Sequence, residues 1–282
     1  MSNLPTKLQI RIDAMLAKRS LVAPNSVEII DTYANEVKSS NALPLLSNTK
    51  RAVPNAILRS SLFGVIKKGH RNYEQNVLKA TVQGLTITFT GPKLDQADLD
   101  VYLECVRRCA SHPLGDLVRF TAYDFLKSIN RDHGNTQYAW LKAGLLRLMG
   151  SIVDIGDGRF FYTGHLLNEK YRDEKTGEFV IALNPKIAVF FSGDVWTRLS
   201  QTERNTLKGK PLAQWLHGFY SSHKNPYPYK SETIKDLCGS ESTLVEFRRM
   251  LKKSLSALSA ATGWQCWVDQ NDLVNVKKKS IM

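Results

Sequence analysis

An α+β chain in which one order of elements runs twice, behind an N-terminal arm of different character, is what the sequence predicts. Three observations predict it. From residue 55 onward, apolar positions alternate between strand and helix periods, and the order of the periods repeats. Ser, Thr and Asp stand ahead of several apolar-periodic runs, where helix caps belong. The first fifty residues hold six Lys/Arg against four Asp/Glu and then turn rich in Pro, Ser and Asn.

The arm covers residues 1–50. Segments 6–19 and 26–38 have the spacing of short amphipathic helices, separated by Ala23-Pro24-Asn25. The stretch SSNALPLLSNTKRAVP (39–54) has two prolines among Ser and Asn, which is linker chemistry. At most partial order is expected before residue 51.

The first pass opens with an expected strand over Ala56–Ile66. A hairpin-like pair follows within 76–90 around Gly84. A helix over 95–110 starts behind Asp95 as N-cap, and Thr121 caps a short helix running through Ile129. The turn Asn130-Arg131-Asp132-His133-Gly134 leads to a longer helix at 135–149. A β-ribbon closes the pass, made of SIVDIG, FFYTGHLL, a tip of mixed charge from Glu169 to Gly177, and EFVIALN.

The second pass runs from about 195. One helix is expected over 200–222. Ser231 caps a short helix ending at Leu237-Cys238-Gly239, and a long helix spans 242–261 behind Ser240 or Ser242. The strands WQCWV and LVNVKKK close it around Asp269-Gln270-Asn271-Asp272. Helix, short helix, turn, long helix and hairpin make a winged helix-turn-helix. The predicted fold is therefore two tandem winged helix-turn-helix domains, 51–194 and 195–282, with an N-terminal, partly disordered arm. Solenoid periods are absent.

Composition narrows the function. The 282 residues are 43% hydrophobic and 23% charged, a globular rather than disordered balance. No apolar run approaches the roughly 18–20 residues of a membrane span, and the start has no apolar core behind a basic segment. A cytoplasmic protein with no membrane partner is expected. Four cysteines without a CxxC pair make no disulfide framework. Thirty-nine Lys/Arg against 26 Asp/Glu leave a net charge of +13. In such a chain that excess points to nucleic acid, because neutralised phosphates release counterions; the alternative is charge that serves solubility alone.

The long second helix of a helix-turn-helix lies in the major groove, so it needs one apolar face and one face for DNA. In the second unit Leu244, Phe247, Leu251, Leu255 and Leu258 share a stripe. Ser242, Glu246, Arg249 and Lys253 lie opposite, flanked by Val245, Lys252 and Ser256. Arg249 is the candidate for a bidentate guanine contact, worth about 1–3 kcal/mol of discrimination. Arg248 sits nearer the core edge and is expected to snorkel to backbone phosphate. The alternative is a solvated cationic face. In the first unit Tyr138, Leu141, Leu145 and Leu148 form the buried stripe. Thr136, Ala139, Trp140, Ala143 and Arg147 lie opposite, with Asn135 and Lys142 beside them, and Asn135 or Gln137 suits an adenine edge. The alternative is packing on the neighbouring domain or a second subunit. Lys278, within Lys277-Lys278-Lys279, is an electrostatic anchor or a plain basic tail.

Catalytic chemistry is missing. There is no GxxxxGK[ST] loop and no His-hydrophobic-His pair for a nicking site. Cys105, Cys109 and His112 share a helical face at i, i+4, i+7, but thiols among apolar residues read as core, so no metal or other cofactor is expected. Paired carboxylates such as Asp98 and Asp100 point to opposite sides of their helix. The sequence is not that of an enzyme.

Three long strings carry a family likeness. RAVPNAILRSSLFG (51–64), FFSGDVWTRLS (190–200) and SSHKNPYPYKSETIKDLCGSESTLVEFR (221–248) resemble the DNA-binding region of TrfA-family plasmid replication initiators, a likeness running over roughly 51–282. The resemblance implies tandem winged-helix domains that bind double-stranded DNA at directly repeated origin sequences (iterons) and open an adjacent AT-rich region. It implies recruitment of the host initiator DnaA, the replicative helicase and the sliding clamp, and a monomer–dimer equilibrium with monomers active. The family's clamp pentapeptide resembles Gln-Leu-Ser-Leu-Phe. Its counterpart is Ala42-Leu43-Pro44-Leu45-Leu46, which lacks the glutamine and the aromatic but keeps leucines, so Leu43, Leu45 and Leu46 are the candidate partner anchors. The alternative is that Leu45 and Leu46 pack back on the first domain. A winged-helix transcriptional repressor and an origin-nicking enzyme stand as competing functions.

Overall fold

The computed structural model describes residues 43–278, apart from 67–68, 70, 83, 157–160, 173–177 and 192–194. The expected arm helices, the last residues of the first ribbon tip and Lys279 lie outside the described residues.

Strand β1 (Lys50–Pro54) runs straight into one helical turn, α1 (Asn55–Leu58). The strand expected over 56–66 is thus a correction. Ile57, Leu58, Leu62 and Phe63 are all buried, and a run that is apolar on every side has no period to distinguish helix from strand. Only Phe63–Gly64 (β2) stays extended, parallel to Leu94–Asp95. The expected hairpin is present as β3 (Tyr73–Leu78) and β4 (Thr86–Pro92), with Leu94–Asp95 following as β5.

Helix α2 (Gln96–Cys109) begins at the expected Asp95. The Asp95 carboxylate accepts from the N–H groups of Ala97 and Asp98 at 2.9 Å each, and Asp98 returns the bond by accepting from Asp95 N–H at 3.1 Å. A short strand, β6 (Val118–Thr121), precedes α3 (Ala122–Ser128), where Thr121 Oγ1 caps Asp124 N–H at 3.1 Å. Helix α4 spans Asn135–Met149.

The first ribbon divides. β7 (Ile152–Gly156) and β8 (Phe161–His165) join β3 and β4 in a four-stranded antiparallel sheet, while β9 (Glu169–Arg172) and β10 (Glu178–Ala182) pair with β6 in the order β6-β10-β9. Burial decides the division. Val153 and Ile155 of β7 stand opposite Phe89 and Ile87 of β4, all four in one core, so β7 is drawn away from the ribbon.

A 3-10 turn (Pro185–Phe191) leads to β11 (Trp196–Ser200), antiparallel to β1. The helix expected over 200–222 is two helices, α5 (Gln201–Thr206) and α6 (Pro211–Ser221). Gly209, at φ 78°, turns the chain, and Pro211 takes the first helical position, where its missing N–H costs nothing. Further on lie β12 (Tyr229–Lys230), α7 (Ser231–Leu237), α8 (Leu244–Thr262), β13 (Gln265–Val268) and β14 (Leu273–Lys277). Two caps differ from expectation. Ser231 is the first helical residue, its hydroxyl turned to Asp272 rather than to its own helix, and Thr243 caps α8 by accepting from Glu246 N–H.

The β12-β14-β13 sheet repeats the plan of β6-β10-β9: the strand before the short helix pairs with the last strand of the hairpin. Each run has its own hydrophobic cluster, one drawing on residues from Leu43 to Leu199 and the other on Leu207 to Val276. Polar bonds join them. Arg204, buried on α5, donates from Nε to Asp100 at 2.5 Å and from Nη2 to the Gln96 carbonyl at 2.9 Å, both on α2. The Trp215 indole N–H donates to Ser60 O at 3.0 Å, and Val65 N–H to Cys238 O at 2.8 Å. Helix α6 comes so near α1 that a Cβ at Gly218 would stand 2.8 Å from Leu58.

Candidate nucleic-acid interface

Helix α8 carries the expected two faces. Phe247, Leu251, Leu255 and Leu258 are buried in the second core, and Arg249, Lys252, Lys253 and Ser256 are exposed. Val245 stands 76% exposed among them, an apolar side chain on the polar face. Ser242 precedes the helix, half-buried, with its hydroxyl 3.0 Å from that of Ser240. Arg248 departs from the reading that sends it to phosphate. Its guanidinium grips Asp272 in the β13–β14 turn, Nε 3.1 Å from both carboxylate oxygens and Nη2 2.6 Å from Oδ2. Arg248 holds the Asp272 carboxyl below the usual carboxylate range.

The hairpin beside α8 also offers polar surface. Gln270 and Asn271 are exposed at its tip, and Lys277 lies 5.5 Å over the Trp267 ring. Asp269 shapes the turn by accepting from the N–H groups of Asn271 and Leu273 at 2.9 and 3.0 Å.

On α4, Asn135, Thr136, Ala139 and Lys142 are exposed, while Leu141, Leu145 and Leu148 are buried. Gln137 accepts from Arg131 at 3.3 Å, and the same guanidinium lies 3.6 Å over the Trp140 ring, so both side chains already have a partner. Arg147, expected on the DNA face, points inward. It donates to Asp98 Oδ1 from Nη2 at 2.6 Å and Nε at 3.0 Å, and Arg71 takes the other oxygen at 2.7 Å. Burial still pushes the Asp98 carboxyl above its ordinary value.

Lys278 is no free anchor. Its ammonium donates to the carbonyls of Ser221, at 3.4 Å, and His223, at the C-terminal end of α6, and lies 5.3 Å over Trp264. The same helix end is held from the other core by Arg59, which donates to Ser222 O and Ser222 Oγ. Burial, then the nearby Arg59 charge, lowers the Lys278 ammonium from 10.5 to about 8. The unfolded chain therefore keeps a proton that the folded chain releases between those values, so this residue makes folding more favourable as pH rises through that window. Below about pH 8 both states are charged and the cost of burying the cation is carried in full. In Lys278→Met that rise should vanish from the pH dependence of denaturant midpoints. A wild-type-minus-mutant difference that stays flat across the window would remove the assignment.

The three candidate partner leucines separate. Leu43 is 3% exposed in the first core, Leu46 is partly buried against it, and Leu45 is 73% exposed. Cys105 and Cys109 are buried in the same core, and among the described residues no three His, Cys, Asp or Glu side chains group as metal ligands. No helix among them is long and apolar enough to cross a membrane.

The sequence model of the family described as TrfA protein matches residues 35–278. The chain belongs to the TrfA family. This TrfA-family chain is 30% identical over 244 residues to the plasmid replication initiator protein TrfA of Escherichia coli, an alignment covering 82% of the chain and 62% of that relative. It therefore spans about three-fifths of the relative's length. Its fold is similar to that of RctB domains 2–3 (TM-score 0.53, 10% identity, 77% of this chain and 96% of that one). It is also similar to the Pi initiator protein solved in complex with iteron DNA (TM-score 0.51, 11% identity, 83% and 100%).

Sequence reading missed the acceptors of three arginines and lysines in this TrfA-family chain: Asp272, Asp98 and the end of α6. Asp272 lies 24 residues from Arg248 and Asp98 lies 49 from Arg147, so no helical spacing could have paired them. The strands β6 and β12 were also missed, because four and two residues carry too little alternation to read.

Proposed function

We propose that this chain is a plasmid replication initiator that binds double-stranded DNA at origin iterons through two tandem winged-helix domains, 51–194 and 195–282. In this reading β11, which opens the second domain, packs Leu199 into the first core. One observation carries the reading: two runs of the same sheet order each present a long helix with polar or cationic side chains on its exposed face. On α8 that face holds Arg249, Lys252 and Lys253, and on α4 it holds Asn135, Thr136 and Lys142. Family membership and the fold shared with an initiator solved on iteron DNA support it.

The two heads replace the two half-sites that a dimer would supply, so the site need not be palindromic. The bonds from Arg204, Arg59 and Trp215 hold the heads in one geometry, which would set the spacing between the two stretches of groove they read. Bending one site by 40–90° costs on the order of 1–6 kcal/mol, so several bound copies would supply the energy to open an AT-rich neighbour. No bond is cleaved in this scheme, and the protein acts in the cytoplasm. DnaA, the replicative helicase and the sliding clamp are the host partners, with Leu45 the accessible leucine for the clamp and a monomer–dimer equilibrium controlling activity.

Hydroxyl-radical footprinting of the full chain on its replicon's origin tests the reading. Protection should recur at a constant period across direct repeats, each protected tract covering two successive major-groove faces. Purified host proteins added to the same reactions should extend it. A single palindromic footprint would favour a repressor instead, and a strand break would show chemistry outside this account.

A further inference from the structure

Arg248 and Arg249 are neighbours on α8, yet they meet opposite fates. Arg249 is exposed, whereas Arg248 is spent on Asp272. Asp272 is itself tied from three sides. Its backbone sits at φ 62°, a left-handed conformation that Asp tolerates better than most residues. Its carbonyl accepts from Ser231 N–H at 3.0 Å, and its carboxylate accepts from Ser231 Oγ at 2.8 Å, both at the start of α7. Its own N–H donates to Asp269 O at 3.1 Å, closing the hairpin turn. One side chain thus joins the hairpin, the short helix and the second turn of the long helix.

We propose that Asp272 is a positioning residue for DNA reading, keeping Arg248 as a strut between hairpin and α8 so that Arg249, Lys252 and Lys253 are the cations of α8 that face the duplex. The inference rests on the DNA-binding function proposed above. An exposed ion pair is weak by itself, and DNA phosphate competes for a guanidinium. Here the pair is bidentate and the carboxylate is already oriented by Ser231, so little further ordering is needed to keep it. Two consequences follow. Arg248 adds nothing to the count of neutralised phosphates, and the hairpin cannot swing relative to α8 without losing the fork.

Asp272→Asn keeps the shape and the tolerance for a left-handed backbone but removes the charge. Affinities of the full chain for an iteron duplex and a random duplex, measured from 50 to 200 mM salt, read the effect. Freed Arg248 should gain a phosphate and steepen the slope of log affinity against log salt by about 0.9. The mutant-to-wild-type affinity ratio then falls roughly 3.5-fold across that salt range. Arg248→Gln alone should leave the slope unchanged, and the double variant should return to it. A merely structural role for Asp272 would lower affinity without moving the slope, which would overturn the proposal. So would a slope shallower by about 0.9 in Arg248→Gln, since it would mean that Arg248 already contacts phosphate. Should Asp272→Asn fail to fold, Arg248→Gln still decides between these outcomes. Failure of the wild type to prefer the iteron at any salt would instead count against the proposed function.

Discussion

Replacing Glu104 by glutamine is expected to cost about 3–5 kcal/mol of folding stability, the typical loss when one partner of a buried ion pair is removed. Glu104 is wholly buried on α2 and answers three arginines. Arg51 of β1 donates to Oε2 at 2.9 Å, Arg107 donates from Nε at 2.8 Å and Nη2 at 2.6 Å, and Arg108 donates to Oε1 at 2.8 Å. Arg51 is itself 2% exposed, and burial lowers its basicity, so it has no water to turn to once the carboxylate is gone. An amide of the same shape keeps the packing and at most two of the acceptor bonds while stranding the positive charge. Because β1 also carries β11, the damage should spread to the junction between the two cores. Guanidinium unfolding of both proteins checks this: the midpoint should drop with the m-value unchanged. A loss smaller than about 1 kcal/mol would mean that water reaches the cluster and that its charges are held less tightly than the distances imply.

Arg249→Ala is expected to lose about 1–3 kcal/mol of discrimination at one base position, roughly 5- to 150-fold, with little change on random DNA. Elimination along the first turns of α8 singles out this residue. Phe247 and Leu251 are buried, Ser242 lies before the cap, and of the two exposed arginines Arg248 is committed to Asp272, which leaves Arg249 for base reading. Lys252→Ala and Lys253→Ala are the comparison: each should weaken iteron and random duplex alike and lower the salt slope by about one. Affinities for a set of duplexes substituted base by base give both quantities. Equal losses on specific and random DNA in Arg249→Ala would falsify its assignment to base reading.

Much of the local structure was legible because it is locally caused. Asp95 and Thr121 cap their helices as read, α4 spans 135–149 as read, and the apolar stripes of α4 and α8 are buried apart from half-buried Tyr138 and Leu244, since each depends on residues within a turn or two. The family likeness was legible too, in three strings of ordinary side chains. The candidate interface was legible only as a set of exposed positions. Arg147, Arg248 and Lys278 look as available in the sequence as Arg249, Lys252 and Lys142, yet the first three are spent within the fold.

The physical reason is range. Caps, stripes and turns answer to neighbours a few residues away, so residue order by itself determined a mixed helix-and-strand chain with a cationic long helix near its end. Which cations are tied down answers to groups 24 to 57 residues apart, and strand pairing reaches further, since Lys50 of β1 stands opposite Ser200 of β11. A buried or tethered cation needs its acceptor beside it, and only the tertiary structure decides where that acceptor stands.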